Sequence, residues 1–366
     1  MNSRVWITGP MSSLLPLGRS LLPSVPSIAR LPSRSVLAVA GSQAPEFLNG
    51  VLAFAVPQDS PRPFFSAILN AQGRVLYDLF VYTDTNPDGR PKYLIEYDSH
   101  PSDGPSLYDL LKRYVLRAKV KIRDVSQEYD SWAAWGSEDI STWDSKPRKW
   151  LFAPSGAIEP DWTYGDWPWG SENRVIRDRR AVGMGYRMLA HKGDRPSLAS
   201  THEQVSSDLY TLHRILHGVP EGVDEIHPTS AFPMDSNLDV MGALGFRKGC
   251  YVGQELTVRT YHIGAVRKRT VPVFIHETDQ PPLEKSSLVQ DALSSNLDIH
   301  PTVISDRPKP RGSGKLLSST QGVGLALLRT DWVSDVEKRN ITLQVKSAAE
   351  KPWFVTPWWP EWWPVQ

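Results

Sequence analysis

The sequence predicts an α+β fold that is followed by an all-β domain. Helical and strand-like patterns alternate over the first two thirds of the chain, and no internal repeat interrupts them. The last third contains strand-like runs, among them VPVFI and GVGLALLRT, separated by a polar segment rich in Pro and Ser. A chain of 366 residues with 40% apolar side chains is long enough for two or three compact domains.

The spacing of apolar residues predicts the individual elements. Residues 46–53 fit a short amphipathic helix, and residues 71–74 fit the turn of a β-hairpin because Gly73 tolerates positive φ. Periodicity predicts a helix in SLYDLLKRYVLRA, a strand in KVKIRDV and a helix in HEQVSSDLYTLHRILHG. Residues 144–173 and 277–314 are rich in Pro with Gly or polar residues, so we expect two long surface excursions there.

Charge and cysteine content exclude several classes of function. Basic and acidic residues nearly balance at a formal net charge of +1, so no global field attracts nucleic acid or a membrane surface. Cys250 is the single cysteine, which rules out an internal disulfide and fits a reducing compartment. We therefore expect no nucleic-acid partner and no membrane partner.

The first 35 residues have the composition of a mitochondrial presequence. No Asp or Glu occurs before Glu46, whereas arginines are spread among many serines and leucines. The apolar pieces are interrupted by Pro and Arg and are too short to span a bilayer. We expect residues 1–35 to be an import presequence and the mature chain to act in the mitochondrial matrix.

The segment FRKGCYVGQELTVR contains the single cysteine. Gly249 and Gly253 flank Cys250 and allow an exposed turn that leads into a helix. A helix amino terminus and the ammonium group of Lys248 both favour a thiolate, so we interpret Cys250 as reactive or able to bind a metal. The alternative is a buried structural cysteine, the usual state of a free thiol. One thiol cannot complete an iron–sulfur site, so a cluster held here would be shared with a partner.

The motif resembles the signature of the YgfZ-type folate-binding proteins, above all their mitochondrial branch of iron–sulfur cluster assembly factors. The resemblance rests on KGCYVGQE with GAVRKR downstream. Further segments occur in the order the family has them, namely APEFLNGVL, AILNAQGRVLYDLFVY, RDRRAVGMGYRML, YTLHRILHGVPEG and GVGLALLR. It covers essentially the whole chain after the expected presequence.

The resemblance implies the fold of the T-protein of the glycine cleavage system. That fold is a three-domain ring of two interleaved α+β domains and a C-terminal β-barrel, around an opening that admits tetrahydrofolate. On this chain it implies interleaved domains over residues 36–265 and a barrel over residues 266–366. The barrel domain would carry the long loop at about 277–314 and a Trp-rich tail.

The resemblance also implies two groups of site residues. The functional signature falls on Lys248, Gly249, Cys250, Tyr251, Gly253, Gln254 and Glu255. Within it Cys250 and Lys248 are the expected active pair, and Cys250 is the expected ligand of a shared cluster. A second motif falls on Asp178, Arg180, Gly185 and Arg187. We expect its charged residues to bind the cofactor in the folate opening, with a structural ion-pair network as the alternative.

The resemblance implies an assembly factor for mitochondrial [4Fe-4S] clusters in preference to an enzyme. The expected partners are A-type iron–sulfur carriers and client enzymes of the aconitase and lipoyl synthase types. Tetrahydrofolate and a transient shared cluster are the expected bound groups. The alternative is a tetrahydrofolate-dependent enzyme of the aminomethyltransferase or demethylase kind, and folate as a purely structural ligand also remains open. AVGMGYR stands where the T-protein relatives have a YTGE-type pterin-holding segment, which argues against folate chemistry.

Three further features of the sequence carry weaker expectations. The basic run 267–269 is expected at a solvated strand edge. His213 and His217 share a helical face without a third metal ligand in view. Tryptophans crowd the end of the chain and either pack on the barrel or dock a partner, namely Trp353, Trp358, Trp359, Trp362 and Trp363.

Overall fold

The computed structural model describes residues 15–57, 60–86, 88–139, 144, 148–162, 166–304, 310–346 and 352–365. The chain divides into two compact units. The smaller unit combines the N-terminal residues up to Pro23 with Leu212–Gly218 and Arg267–Trp363. The larger unit combines Ser24–Thr211, Val219–Val266 and the last residues from Pro364.

Helices and strands follow one another in an α+β order. The described helices are α1 (Leu15–Ser20), α2 (Ala44–Val51), α3 (Leu107–Val115), α4 (Ser207–Leu216), α5 (Gln254–Ile263) and α6 (Thr330–Glu337). The strands of the larger unit are β1 (Ser27–Arg30), β2 (Arg34–Ala40), β3 (Phe64–Leu69), β4 (Val75–Thr85), β5 (Pro91–Asp98), β6 (Lys121–Asp124), β7 (Tyr129–Trp135), β8 (Trp150–Phe152), β9 (Ile158–Pro160), β10 (Val175–Arg177), β11 (Tyr186–His191) and β12 (Glu203–Val205). The strands of the smaller unit are β13 (Lys268–His276), β14 (Leu297–Val303), β15 (Gly314–Thr320), β16 (Val323–Arg329), β17 (Ile341–Lys346) and β18 (Pro352–Pro357). The helices and the strand predicted from periodicity are confirmed, except that the start of HEQVSSDLYTLHRILHG forms strand β12 and its helix begins at Ser207.

Two five-stranded sheets build the larger unit. One has the order β10-β11-β7-β1-β12 and the other the order β3-β4-β5-β2-β6. The sheets are interleaved in the sequence, because β1 lies in the first sheet, β2 to β6 lie in the second, and β7 returns to the first. This arrangement confirms the prediction of two interleaved α+β parts.

Strand β1 lies inside the first sheet. It pairs antiparallel with β7 and parallel with β12, and Ile28 and Ala29 are fully buried. Strand β2 then begins at Arg34. Residues 27–35 were expected to belong to the presequence, but they contribute to both sheets. A presequence that could be removed without loss of a strand would therefore end before Ser27.

The predicted hairpin joins β3 to β4. The two strands pair antiparallel, and the turn places Gly73 at a φ of 75°, a region that glycine enters without strain. The Asn70 side-chain oxygen accepts hydrogen bonds from the backbone N–H of Gln72 at 3.0 Å and of Arg74 at 2.9 Å. This Asx-type bonding fixes the turn, as it does in many tight turns.

The smaller unit is a closed barrel with the strand order β13-β16-β15-β14-β17-β18. Its interior is filled by branched apolar side chains, among them Val273, Ile299, Leu343 and Val345. The barrel confirms the predicted all-β domain, but β14 lies within the segment 277–314 that was expected to be a loop. That expectation was wrong because Pro301 argues against a strand, although LDIHPTV otherwise alternates apolar and polar residues.

The tryptophans of the tail pack onto the barrel. Trp358 is 3% exposed, and its ring stacks on Phe274 of β13 with centroids 4.4 Å apart. Trp359 and Trp363 contact each other at 4.7 Å. Arg269 is also buried in β13, with its guanidinium 5.8 Å from the centroid of the Trp363 ring. The basic run 267–269 was expected at a solvated strand edge, and this expectation was wrong for Arg269.

The segment 144–173 contributes to the core of the larger unit. It contains the hairpin of β8 and β9, and Trp169 within it is fully buried against Phe65 of β3, at a ring distance of 6.1 Å. The expectation of a surface excursion was therefore wrong for this part of the segment, because a run of Trp, Pro and Gly does not show which aromatic ring turns inward. None of the helices in the described residues is long and apolar enough to cross a membrane.

Candidate functional site

The cysteine loop, residues 246–253, leads into helix α5. Cys250 is exposed on it, so the alternative of a buried structural thiol is wrong. The helix begins at Gln254, and Gly253 is its N-cap with a φ of 81°. The predicted arrangement of an exposed turn before a helix is confirmed. The exposed thiol is open to a partner.

The ammonium group of Lys248 caps helix α2. Its Nζ donates hydrogen bonds to the backbone oxygens of Asn49 at 2.6 Å, Leu52 at 2.6 Å and Phe54 at 3.3 Å. Carbonyls at a helix carboxyl terminus lack partners within the helix and attract a cation. The Nζ atom also lies 4.7 Å from the centre of the Tyr251 ring. Burial lowers the pKa of Lys248 to about 8.

These contacts give Lys248 a structural role in addition to its expected effect on the ionisation of Cys250. The side chain ties the start of the cysteine loop to the end of α2. The expected effect of Lys248 on the ionisation of Cys250 stays a prediction.

A hydrogen bond between Tyr251 and Gln254 holds the end of the loop. The Gln254 side-chain oxygen accepts a hydrogen bond from the backbone N–H of Tyr251 at 3.1 Å, across the start of α5. Tyr251 is buried, and burial raises its pKa to about 12, so it acts as a neutral packing residue. Glu255 is exposed in the first turn, where a negative charge favours the helix.

The two glycines beside Cys250 have different environments. A Cβ atom on Gly253 would lie 2.2 Å from the Asn70 backbone oxygen and 2.8 Å from the Leu69 Cβ atom. Its positive φ excludes other residues as well. A Cβ atom on Gly249 would meet no atom within 4 Å, and Gly249 is not among the described glycines with positive φ. The loop is therefore packed tightly at Gly253 but not at Gly249, and its exposed part carries Gly249 and Cys250.

The second motif forms a buried ion-pair network. Arg180 donates to both carboxylate oxygens of Asp178, at 2.9 and 2.7 Å, and to Glu221 at 2.7 Å. Arg187 donates to Glu221 at 3.0 Å and to Glu96. Both guanidinium groups are fully buried. Gly185 directly precedes β11, and a Cβ atom there would lie 2.0 Å from the backbone oxygen of residue 134.

Further residues complete this network. Arg34 donates to Glu96 at 2.9 Å, and the Tyr82 hydroxyl donates to the other Glu96 oxygen at 2.5 Å. The Tyr210 hydroxyl donates to Glu221 at 2.9 Å. These contacts join strands of both interleaved sheets, because Arg34, Tyr82 and Glu96 belong to one sheet and Arg187 belongs to the other.

The charges balance within the ion pairs of this network. Three arginines face three carboxylates, those of Asp178, Glu96 and Glu221. Burial raises the pKa of Glu96, but the guanidinium groups of Arg187 and Arg34 outweigh it and hold the pKa below its usual value. Charge-assisted hydrogen bonds of this kind are strong, provided that every partner is present.

The network has a direct consequence for the expected folate contacts. Asp178, Arg180 and Arg187 are at most 1% exposed, and all three form ion pairs, with one another or with Glu221. The structure therefore gives these three residues the structural role that was weighed as an alternative, in place of direct cofactor binding.

The partners of this network were not predicted from the sequence. Arg34 lies in the range expected for the presequence, and Glu96, Tyr82, Tyr210 and Glu221 lie outside the two motifs. Charged residues inside apolar strands, such as Glu96 in YLIEYD, were the available signal, because a buried charge requires a partner.

No resident metal centre is evident in the described part of the chain. No group of three or more His, Cys, Asp or Glu side chains there is placed to hold a metal ion. The rings of His213 and His217 lie 4.3 Å apart on α4 and the residue after it, and the His217 Nδ1 atom lies 2.7 Å from the His213 backbone oxygen. These contacts occupy one nitrogen of His217.

The sequence is similar to several proteins named mitochondrial iron-sulfur cluster assembly factor IBA57 homolog. The one from Cryptococcus neoformans var. neoformans serotype D is 40% identical over 356 residues, covering 89% of this chain and 91% of the relative. The one from Coccidioides immitis is 35% identical over 342 residues, covering 88% of this chain and 75% of the relative. The chain belongs to the IBA57 family.

The other comparisons agree with membership of the IBA57 family. Residues 267–365 match the family described as CAF17, C-terminal beta-barrel domain. The glycine cleavage system aminomethyltransferase T from Bartonella henselae has a similar fold, with a TM-score of 0.58 and 14% identity over 95% of this chain and 88% of that protein. These findings confirm the resemblance predicted from the cysteine motif. The aminomethyltransferase shows the fold alone.

Proposed function

We propose that this chain is a mitochondrial iron–sulfur cluster assembly factor that acts in the matrix on [4Fe-4S] clusters. We further propose that it works with A-type carriers and matures clients of the aconitase and lipoyl synthase types. The names of the IBA57 relatives support the assembly role. The observation that carries the proposal is the exposure of Cys250 on a loop that Lys248 and Gly253 hold in place.

In the proposed reaction Cys250 supplies one thiolate ligand to a cluster that is the cargo. Iron–sulfur clusters are commonly held by four protein thiolates, and this chain offers one. The remaining ligands would come from the carrier, so the thiol must be reachable from outside, as it is. The two anchored ends of the loop favour one position of the sulfur before the carrier arrives, which lowers the ordering cost of docking.

An anaerobic mixing experiment tests this role. The mature chain is mixed with a carrier loaded with a [2Fe-2S] cluster, and visible absorption and Mössbauer spectra are recorded for wild type and Cys250→Ser. We expect a cluster signal on the complex with wild type and its loss with Cys250→Ser, because serine lacks the thiolate ligand.

A relocated thiol provides the matched control. Ser200 is exposed on the 3-10 helix Ser197–Ser200, so the double variant Cys250→Ser, Ser200→Cys keeps one accessible thiol at another place. This variant should behave like Cys250→Ser. Equal spectra for all three proteins would mean that the thiol is not a cluster ligand.

Tetrahydrofolate does not fit the polar residues that were expected to hold it. Asp178, Arg180 and Arg187 are buried and hydrogen-bonded within the ion-pair network. No other contact of the described residues indicates that these three side chains bind a ligand. We accordingly derive no step through folate. Calorimetric titration of the mature chain with tetrahydrofolate tests the remaining folate proposals, and the absence of heat would remove both the transferase and the structural-ligand alternatives.

A further inference from the structure

A basic patch surrounds the turn between helix α3 and strand β6 in the larger unit. Residues 110–123 contain six basic and no acidic side chains. All six are exposed, namely Lys112, Arg113, Arg117, Lys119, Lys121 and Arg123. The whole chain has a formal net charge of only +1, so this concentration of one sign is a local feature.

Four of these cations have neither an ionic nor an aromatic partner among the described residues. Arg123 lies 3.4 Å from Glu128, and the Lys112 ammonium lies 4.3 Å from the centre of the Tyr108 ring. The four cations without such a partner are Arg113, Arg117, Lys119 and Lys121. Like charges that are close together repel one another, and an anionic surface that covers them relieves this repulsion.

The turn itself carries an exposed leucine. Leu116 is 87% exposed and directly precedes Arg117. Its φ of 43° and ψ of −106° are those of the first central residue of a type II′ turn, a position that glycine prefers. The backbone N–H of Ala118 closes the turn by donating to the Val115 oxygen at 2.8 Å. Leucine therefore introduces backbone strain here while its side chain remains in water.

The turn is held in place by residues that precede α2. The backbone N–H of Lys119 donates to the Gln43 side-chain oxygen at 2.7 Å. A Cβ atom on Gly41 would lie 2.1 Å from the Lys119 backbone oxygen, so the two segments pack closely. At the start of β6, Ile122 is buried and pairs with Val39 of β2. The turn thus presents its leucine and its cations in a fixed arrangement.

We propose that the basic patch binds a protein whose surface carries carboxylates around an apolar socket, into which Leu116 inserts. The carboxylates would pair with the four cations, and the socket would bury the leucine. A fixed turn lowers the ordering cost of binding a partner of complementary shape. A bilayer and a nucleic acid fit less well, because one leucine anchors weakly in lipid and a phosphate backbone offers no apolar socket.

The patch lies one short helix away from the cysteine loop. Its turn is bonded to Gln43, directly before α2, whereas Lys248 of the cysteine loop binds carbonyls at the end of α2. The eight residues of α2 span about 12 Å. The identity of the acidic partner as a cluster carrier rests on the proposed function, whereas the affinity of the patch for an acidic protein surface does not.

Ligand-observed NMR titration of the full chain tests the proposal with a capped peptide that has one leucine between two runs of glutamates. At about 0.1 M salt, exposed charges act over only about 10 Å, so the titration reports the local surface. We expect saturable binding that weakens at least about tenfold in the double variant Arg117→Glu, Lys119→Glu, because attraction becomes repulsion. The matched control is Lys338→Glu, Arg339→Glu, which makes the same change in net charge at exposed residues of the smaller unit and should bind like wild type.

The variant Leu116→Gly separates binding from folding. Glycine enters this turn position without strain, so the variant should be at least as stable as wild type in thermal unfolding. It should nevertheless bind the peptide about tenfold more weakly, because the apolar contact is lost. A peptide with serine in place of its leucine should show the same loss with wild type, and equal affinity of the two peptides would overturn the role given to Leu116.

The outcomes distinguish this proposal from other partners and from the proposed function. Equal weakening by the two double variants would overturn it, since the attraction would then be unspecific. Vesicles of phosphatidylcholine and phosphatidylserine, or a DNA duplex, would overturn it if they bound more tightly than the peptide and lost binding in the same patch variants. Peptide binding that survives Cys250→Ser but is lost in Arg117→Glu, Lys119→Glu would support the patch whatever the cluster spectra show.

Discussion

At the scale of single residues, two glycines of one short motif meet different physical demands. Gly253 is fixed by its φ of 81° and by the Asn70 backbone oxygen, 2.2 Å from where a Cβ atom would lie. Gly249 has neither constraint. Its position directly before the exposed Cys250 leaves the backbone there accessible, which suits a surface where another protein approaches closely.

These environments predict opposite results for the same substitution. Gly253→Ala should lower the free energy of unfolding by more than about 1–3 kcal/mol, because backbone strain alone costs that much and the steric overlap adds to it. Gly249→Ala should change the free energy of unfolding by less than about 0.5 kcal/mol. Urea unfolding of both variants measures the difference, and equal destabilisation would show that the packing at Gly253 has been misassigned.

At the scale of elements, the buried network links strands that are distant in the sequence. Strand β2 brings Arg34, β5 brings Glu96 and β11 brings Arg187 to one point. A balanced buried network adds specificity for one arrangement, since any other pairing leaves a charge alone. We infer that it selects the correct alignment of the two interleaved sheets.

Replacing one arginine of this network should strongly destabilise the folded protein. Arg187→Met leaves Glu96 and Glu221 with an uncompensated charge, so we expect a loss of about 3–5 kcal/mol in the free energy of unfolding, or failure to accumulate as soluble protein. Arg329→Met is the control, because Arg329 pairs with Asp331 at the surface and such pairs contribute about 0–1 kcal/mol. Similar unfolding curves for the two variants would contradict the role given to the network.

Much of the fold was predictable at this scale. The amphipathic helix α3, with Leu107, Leu110 and Leu111 buried, and the hairpin at Gly73 follow from local spacing. Strand β14 was missed, because its burial depends on pairing with β15 and β17 and its own sequence contains a proline. Local patterns do not encode pairing between distant strands.

The site was predictable in part for a similar reason. The exposure of Cys250 follows from residue types within eight positions of it. The capping of α2 by Lys248 and the pairing of Arg187 with Glu96 join residues far apart in the chain. Such contacts are visible only once the fold has brought the elements together.

At the scale of the whole molecule, the start of the folded part is defined by strand pairing. Residues 27–35 supply β1 and the beginning of β2, including the buried Arg34. The described N-terminal residues up to Ser20 pack within the smaller unit, since Gly18 lies against Phe274 and Ser20 accepts a hydrogen bond from Lys285.

Two truncated chains should therefore behave differently. A chain that begins at residue 15 keeps every described element and should unfold at the midpoint of the full chain. A chain that begins at residue 36 lacks β1 and Arg34, so it should lose cooperative unfolding or precipitate. Thermal unfolding followed by circular dichroism makes the comparison, and an unchanged midpoint for the shorter chain would contradict the central place of β1.

The place of β1 also sets the order in which this protein can fold. The strand leaves the ribosome before its neighbours, but one of them is complete only after residue 135 has been made and the other only after residue 205. Contacts between residues so far apart in the sequence form slowly. An apolar strand is prone to aggregate until it has paired with its neighbours. We therefore expect the nascent or newly imported chain to depend on chaperones. These chaperones would cover β1 until most of the larger unit has emerged.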